Sequence, residues 1–335
     1  MKEEIKCIIC DHSATVVIEK LGGYQEGQEF KIYYCTSCNT SFAWPHVVDD
    51  KIYDCIYSQI NVIPGYNRYA SYANDVSLKE NGLDYLAGKE ANYFSVKEIL
   101  SQTTNKKNKI LEVGSGLGYL TYAISQQGYD ITGLDISFDA VKESQRKFGN
   151  HYVCQDVYQY AIDNPGKFDI VILTEVIEHV PDPKEFCKVL ISLLSTGGKL
   201  IITTPNKSAY SPKEYWETEL PPVHLTWFSE DSFKAIAENM GLTLSFFDFT
   251  GFNKKQFDIS RFKFYDQFYK IKKRDHILNA AGKVISPATA VENREPGIFK
   301  IALKKLIRSF FITFLTHKKD LNRNSMLSVI LQKKQ

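Results

Sequence analysis

From Lys109 to Ser137 the chain reads KILEVGSGLGYLTYAISQQGYDITGLDIS, an apolar run, a cluster of glycines, a helix-period stretch and a second apolar run. Short apolar runs bounded by glycine predict strands covered on both faces, and YLTYAISQQG predicts a helix stopped by Gly128. The alternation continues with KFDIVILTE and GGKLIITTPN, read as the fourth and fifth strands, then the helix SEDSFKAIAENMGL and the sixth strand LTLSFFDF. In that helix Ser229 is placed to cap the first turn, which Glu230 and Asp231 fill. Phe233, Ile236, Ala237 and Met240 form its buried stripe, and Gly241 ends it. Repeated βα units predict an α/β fold with a parallel, doubly wound sheet, its ligand site beyond the carboxyl ends of the strands.

The amino-terminal pattern is different. ATVVIE and EFKIYY alternate apolar and polar residues around Gly22, Gly23 and Gly27, which predicts a hairpin. Cys7-x-x-Cys10 and Cys35-x-x-Cys38 flank it, the outline of two knuckles of a zinc ribbon. Asp11 and Asn39 follow the second cysteine of each pair, where a positive φ is needed and glycine is absent. Four thiolates make a closed structural Zn²⁺ site with no open position for chemistry. Residues 44–108 are rich in tyrosine; Tyr66, Tyr69 and Tyr72, three apart, read as core or lid positions of one or two helices. Farther on, GIFKIALKKLIRSFFITFL combines Phe299, Leu303, Leu306 and Phe310 with Lys300, Lys304, Lys305 and Arg308. Such a basic amphipathic helix packs on its own domain or lies on an anionic membrane, so residues 298–315 are the expected place for peripheral membrane contact.

Composition narrows the class. The 335 residues are 44% hydrophobic and 24% charged, with net charge +2. From Gly251 onward 19 Lys and Arg face six Asp and Glu, a local +13 that leaves −11 on the first 250 residues. The basic end suits an anionic surface or is simply a solvated face. No apolar run is long enough for a membrane span and MKEEIKCIIC lacks a signal-peptide core, so the expected location is cytoplasmic. Seven cysteines, an odd number, argue against a secreted disulfide scaffold, and Cys55, Cys154 and Cys187 read as reduced core thiols.

The glycine turn lets backbone approach a ligand, and an acid about 20 residues on can accept both ribose hydroxyls. The spacing is E-x-G-x-G-x-G, not the G-x-G-x-x-G of dinucleotide oxidoreductases, and no basic residue in the turn favours phosphates. LEVGSGLG, GLDIS and CQDV resemble motifs of the class I S-adenosylmethionine-dependent methyltransferases. The resemblance implies S-adenosylmethionine as cofactor, with Gly114, Gly116 and Gly118 shaping its turn, Asp135 holding the ribose and Asp156 near the adenine. Glu112, Ser115, Ile136, Val157 and Thr174 complete the implied cofactor set. It also implies that SMLSVILQKK is an antiparallel seventh strand. The expected organisation is then a ribbon over 1–48, a helical linker or lid over 49–108, the methyltransferase domain over 109–251 and 324–335, and a basic, largely helical insertion over 252–323.

In that fold the end of the fourth strand faces the transferring methyl group, and there the chain reads LTEVIEHVPDP. Glu175, Glu178 and His179 stand at i, i+3 and i+4 and would share one face if a helix began here. With His224 of PPVHLTWF they resemble the metal site of the ubiquinone-biosynthesis O-methyltransferases and of the methyltransferases acting on the terminal ribose of small RNAs. Both act on one hydroxyl of a vicinal pair, and a mixed carboxylate–imidazole set accepts Mg²⁺ or Mn²⁺. EVIEHV also occurs in class I enzymes that need no metal, where His179 or His224 serves as general base. A ribbon, a tyrosine-rich stretch and this core together resemble a bacterial group found among polysaccharide and glycolipid biosynthesis enzymes. That implies O-methylation of a small-molecule or lipid-linked sugar. The alternatives are ribose methylation of RNA bound by the ribbon and basic end, C- or N-methylation of a nucleotide sugar, and a non-catalytic S-adenosylmethionine-binding scaffold. The chain departs from the group in the missing knuckle glycines and in the long insertion.

Overall fold

The computed structural model describes residues 4–102, 105–209, 219–255, 276–286 and 322–333. The amino-terminal module is an antiparallel meander of β1 (Glu4–Lys6), β2 (Ser13–Gly22), β3 (Glu29–Tyr34) and β4 (Ser41–Trp44). Asp11 and Asn39 adopt φ of 61° and 53°, the left-handed turns expected after each cysteine pair. Four helices follow where one or two were expected: α1 (Asp50–Ser58), α2 (Asn67–Asp75), α3 (Gly82–Lys89) and α4 (Ala91–Ser101). Local caps divide them. Asp49 and Asn81 accept from Lys51 N and Asp84 N at the starts of α1 and α3, and Gly65, at φ 89°, separates α1 from α2.

The α/β body runs β5 (Lys109–Val113), α5 (Tyr119–Ser125), β6 (Asp130–Asp135), α6 (Phe138–Phe148), β7 (Tyr152–Cys154), α7 (Val157–Asp163) and β8 (Phe168–Thr174). It continues with α8 (Pro183–Ser192), β9 (Leu194–Pro205), β10 (Thr226–Trp227), α9 (Glu230–Asn239), β11 (Thr243–Phe246), α10 (Thr250–Lys255) and β12 (Met326–Gln332). Seven of these strands form one sheet in the order β11-β12-β9-β8-β5-β6-β7. The strands from β9 to β7 are parallel, and β12 is antiparallel to both of its neighbours, as expected of a closing seventh strand.

Alternate residues of the central strands feed two cores, as the twofold pleat requires. Ile110, Ile170, Ile172 and Ile201 face α3, α4, α5 and α6. Leu111, Val113, Leu173 and Leu200 face α7, α8 and α9, and that core also takes in Ile9, Tyr33 and Phe42 of the meander. The α9 stripe is as the periodicity predicts: Ser229 caps the helix, Phe233, Ile236 and Ala237 are buried, and Met240 packs at its edge.

Several expectations need correction. Glu175, Glu178 and His179 do not share a helix face. Glu175 is left-handed at φ 53°, only a short 3₁₀ turn spans Ile177–His179, and α8 begins at Pro183 under an Asp182 cap. Pro181 holds Val180 extended, at φ −87° and ψ 144°, which stops a helix from running through the motif. Cys154 is exposed at the end of the edge strand β7 rather than in the core, Cys55 is half-buried, and Cys187 alone of the three is fully buried. Most of the basic insertion, including the amphipathic stretch 298–315, lies outside the described residues. Its residues Ile277 and Leu278 are buried with Tyr24, Ile52 and Ile56, so this piece packs on the hairpin tip and α1. Among the described residues, no helix is long and apolar enough to cross a membrane.

Candidate active site

A cavity of about 830 Å³ opens beyond the carboxyl ends of β5, β6 and β8, where a doubly wound sheet places its ligand. Its first wall is the glycine turn. Gly114, Gly116 and Gly118 take φ of 75°, 49° and 76°. A Cβ at Gly114 would stand 2.5 Å from Val176 Cγ2, and one at Gly118 2.6 Å from Ser144 Oγ, so those two glycines let the turn pack. A Cβ at Gly116 would meet nothing within 4 Å, which leaves backbone open to a ligand. The Asp135 carboxylate closes the turn, accepting from Gly116 N at 2.7 Å and Ser137 N at 2.8 Å. Burial raises its pKa against those donors, and each oxygen keeps a further lone pair for a hydroxyl.

The other predicted cofactor residues surround this turn. Ser115 is buried with its Oγ unpartnered on the cavity wall. Ile136 and Phe138 stand 72% and 66% exposed at the cavity beside Asp135, apolar surface that a planar ring could cover. Asp156 lies across from them with Val157 and caps α7, its Oδ1 accepting from Tyr158 N at 2.8 Å and Gln159 N at 3.2 Å. Glu112 is buried beneath the turn, accepts from the Thr121 hydroxyl and is pushed up to about 8, chiefly by burial. Thr174 ends β8 at the cavity.

The opposite wall gathers Glu178, His179 and His224. One ligand atom from each lies within 4.8 Å of the others. Glu178 Oε2 accepts from Thr204 Oγ1 at 3.0 Å, while Oε1 is buried without a partner. His179 Nδ1 lies 2.6 Å from Val223 O; a carbonyl only accepts, so Nδ1 carries the proton and Nε2 the lone pair. His224 stands edge-on to that ring at 4.7 Å, and its buried Nδ1 has no partner. Burial, then the charge of Glu175, holds the Glu178 carboxyl well above the usual range. Burial pushes His179 down to about 4, and burial with the neighbouring His179 holds His224 well below its ordinary value. Two neutral imidazoles and a desolvated carboxyl with free lone pairs suit a divalent cation, which would supply the missing partners.

Glu175 is not brought into that group. Its Oε2 accepts from Tyr69 Oη and Asn92 Nδ2, each at 2.9 Å, and Oε1 lies 3.6 Å from Arg68. Arg68 also pairs with Glu90 at 3.1 Å, which accepts from Tyr72 at 2.6 Å. Tyr66 and Tyr69 therefore line the cavity while Tyr72 braces the helices behind it. Sequence reasoning flagged the tyrosine spacing but not Arg68, Asn92 or Tyr53, whose ring meets His179 edge-on at 6.2 Å. It also passed over Glu219, five residues before His224, which burial pushes up to about 7 against the pull of Lys207.

The four predicted zinc ligands converge in the amino-terminal module. Cys7 and Cys38 sulfurs are 3.6 Å apart, Cys10 and Cys35 sulfurs 3.5 Å, and all four lie within 4.8 Å of one another. Tetrahedral bonds of about 2.3 Å put sulfurs roughly 3.8 Å apart, so the cluster fits a zinc ribbon. Ile9 N also points at Cys7 Sγ, at 3.4 Å.

A family model described as a methyltransferase domain matches residues 85–245. The ubiquinone biosynthesis O-methyltransferase of Coxiella burnetii (strain Dugway 5J108-111) is 33% identical over 184 residues, covering 50% of this chain and 77% of that protein. Its counterpart in Idiomarina loihiensis is 36% identical over 110 residues, covering 31% and 44%. Among solved structures, a SAM dependent methyltransferase from Archaeoglobus fulgidus is 17% identical with a TM-score of 0.42, covering 72% of this chain and 93% of that one.

Proposed function

This chain belongs to the class I S-adenosylmethionine-dependent methyltransferases, and on that premise we propose that it methylates one hydroxyl of a vicinal pair on a sugar or glycan precursor. The observation that carries the acceptor chemistry is the buried, unpartnered pair Glu178 Oε1 and His224 Nδ1 beside His179. Buried polar atoms without partners are expensive, and a chelated diol on a divalent cation would satisfy both. Tyrosine rings lining the same cavity, Tyr53, Tyr57 and Tyr66, suit a ring with one apolar side and a hydroxylated rim.

S-adenosylmethionine supplies the electrophilic methyl group, and Mg²⁺ or Mn²⁺ held by Glu178, His179 and His224 would supply Lewis acidity that lowers a hydroxyl pKa. The chain's own residues do the rest. Gly116 and Asp135 fix the nucleoside end of the cofactor, so the transferring group is aimed at the end of β8. His179 Nε2, which carries the lone pair because Nδ1 is committed to Val223, is placed to accept a proton or a metal bond. Glu175, held by Tyr69 and Asn92, fixes the entry to the His179 turn. The four cysteines are read as holding a structural Zn²⁺, with no step of the reaction assigned to it.

The experiment follows label from methyl-labelled S-adenosylmethionine into lipid-linked glycan, sugar, protein and nucleic-acid fractions of host extract, with and without EDTA. Label in a sugar or glycan fraction, lost with EDTA and restored by Mg²⁺ or Mn²⁺ in still-folded protein, supports the reading. Label in RNA overturns the sugar acceptor, and transfer indifferent to EDTA overturns the chelated diol.

A further inference from the structure

His224 lies on a strap, residues 221–229, that is held from both sides. On the ribbon side Tyr24 N donates to Pro221 O at 2.7 Å, and Ala43 N to Leu225 O at 2.9 Å. Thr226 and Trp227, as β10, extend the ribbon sheet by pairing with Phe42 and Ser41 of β4. Trp227 is buried against Phe30, Ile32 and Ala43. Beyond it the Ser229 hydroxyl donates to Cys38 O at 2.9 Å, and Thr40 and Ser232 hydroxyls meet at 2.7 Å. On the catalytic side, Leu225 N donates to Glu178 O at 2.8 Å, and Val223 O accepts from His179 Nδ1. His224 therefore sits between two anchors on the ribbon, and the same strap sets the backbone of Glu178 and the ring of His179.

We propose that the cysteine module is a positioning element of the acceptor half of the site: β4 and the knuckle at Cys35–Cys38 hold His224 and, through the strap, His179. The glycine turn and Asp135 take no hydrogen bond from the ribbon among those described, so the cofactor half stands apart from this effect. The inference rests on reading the four thiols as zinc ligands and the 175–224 residues as the acceptor half.

The test uses full-length protein with Cys35→Ser and Cys38→Ser, set against zinc-loaded wild type. S-adenosylhomocysteine affinity reports the cofactor half, and ¹⁵N–¹H imidazole resonances of His179 and His224, whose edge-on rings shift each other, report the strap. We expect cofactor-product affinity within about twofold, imidazole signals collapsed toward those of mobile histidine, and Mn²⁺ affinity lower by about 10- to 100-fold. Unchanged imidazole signals overturn the proposal, as does loss of S-adenosylhomocysteine binding in step with them. Should that variant not fold, Ala43→Pro in zinc-loaded protein, which deletes the N–H bonded to Leu225, decides: the same split supports the proposal and unmoved imidazoles overturn it. Wild type that binds no Mn²⁺ removes the diol reading alone, since the imidazole signals test the strap without metal.

Discussion

The two walls of the cavity are built by opposite means. The cofactor wall is mostly backbone and nearly contiguous: a single stretch from Glu112 to Phe138 supplies the turn, its acid and the exposed apolar surface beside it. Its carboxylates are held before any ligand arrives, Asp135 by two amides and Asp156 by the helix it caps, while the Ser115 hydroxyl is buried without a partner. The acceptor wall is mostly side chain and assembled from distant segments, with Tyr69 and Asn92 on Glu175 and the ribbon-held His224 beside His179. There Glu178 Oε1 and His224 Nδ1 are buried and unmatched. On the proposed reading one wall is shaped by its backbone for a constant cofactor, and the other keeps a carboxyl oxygen and an imidazole nitrogen for a second ligand. Substitutions should therefore separate binding from turnover cleanly.

The largest effect is expected from His179→Ala. Losing a positioned base or metal ligand costs about 10²- to 10⁴-fold in kcat, while S-adenosylhomocysteine affinity measured by calorimetry stays within about twofold. A variant that keeps full turnover would remove His179 from the reaction. Asp135→Ala should show the converse. Two charge-assisted hydrogen bonds to a ribose are worth about 3 kcal/mol together, or roughly 100-fold in cofactor affinity. Saturating cofactor should restore much of the rate, and if it does not, the two walls are not separable.

That contrast also explains what was legible in the sequence. The glycine turn, Asp135 and the strands around them could be read because their spacing is local and follows from sterics and strand periodicity. The four cysteines were legible for the same reason, each pair being a local chelate. The acceptor wall was legible only as a list of ionisable residues. The one face that Glu175, Glu178 and His179 would share if a helix began there does not form, because Pro181 and the left-handed Glu175 bend the chain instead. Arg68, Asn92 and Glu219 carry no local signal, since their meaning comes from which helix packs over which strand. A two-residue strand such as Thr226–Trp227 is too short for periodicity to announce, yet it joins the ribbon sheet to the segment that carries His224.

A smaller effect should appear in pH dependence. Burial holds His179 at about 4 and His224 well below its ordinary value, which favours the neutral imidazoles, whereas burial raises the Glu178 carboxyl, which favours its protonated form. With shifts in these directions, a proton released on cation uptake is expected from Glu178 rather than from a histidine. Mn²⁺ affinity should rise by up to about tenfold per pH unit below the Glu178 pKa and level off above it. Titrations in buffers of different ionisation enthalpy would count the released proton. A break near the ordinary histidine value of about 6.5 would assign the proton to an imidazole instead.

The smallest effect is expected at Tyr69→Phe, and it tests whether the helical lid and the acceptor wall are one unit. The substitution keeps the ring that packs against Tyr66 and Tyr72 but removes the hydroxyl that donates to Glu175 and accepts from Arg68. Asn92 still donates to the same carboxylate oxygen, so Glu175 is not stranded. One hydrogen bond to a charged group, partly replaced, should cost about 1 kcal/mol of stability and about fivefold in kcat, with cofactor affinity unmoved. If kcat holds while stability falls, the lid braces the fold without positioning Glu175. If both fall and Asn92→Ala reproduces the loss in kcat, Glu175 transmits the lid's position to the His179 turn. The coupling of the two single variants in the double variant then measures how tightly it does so.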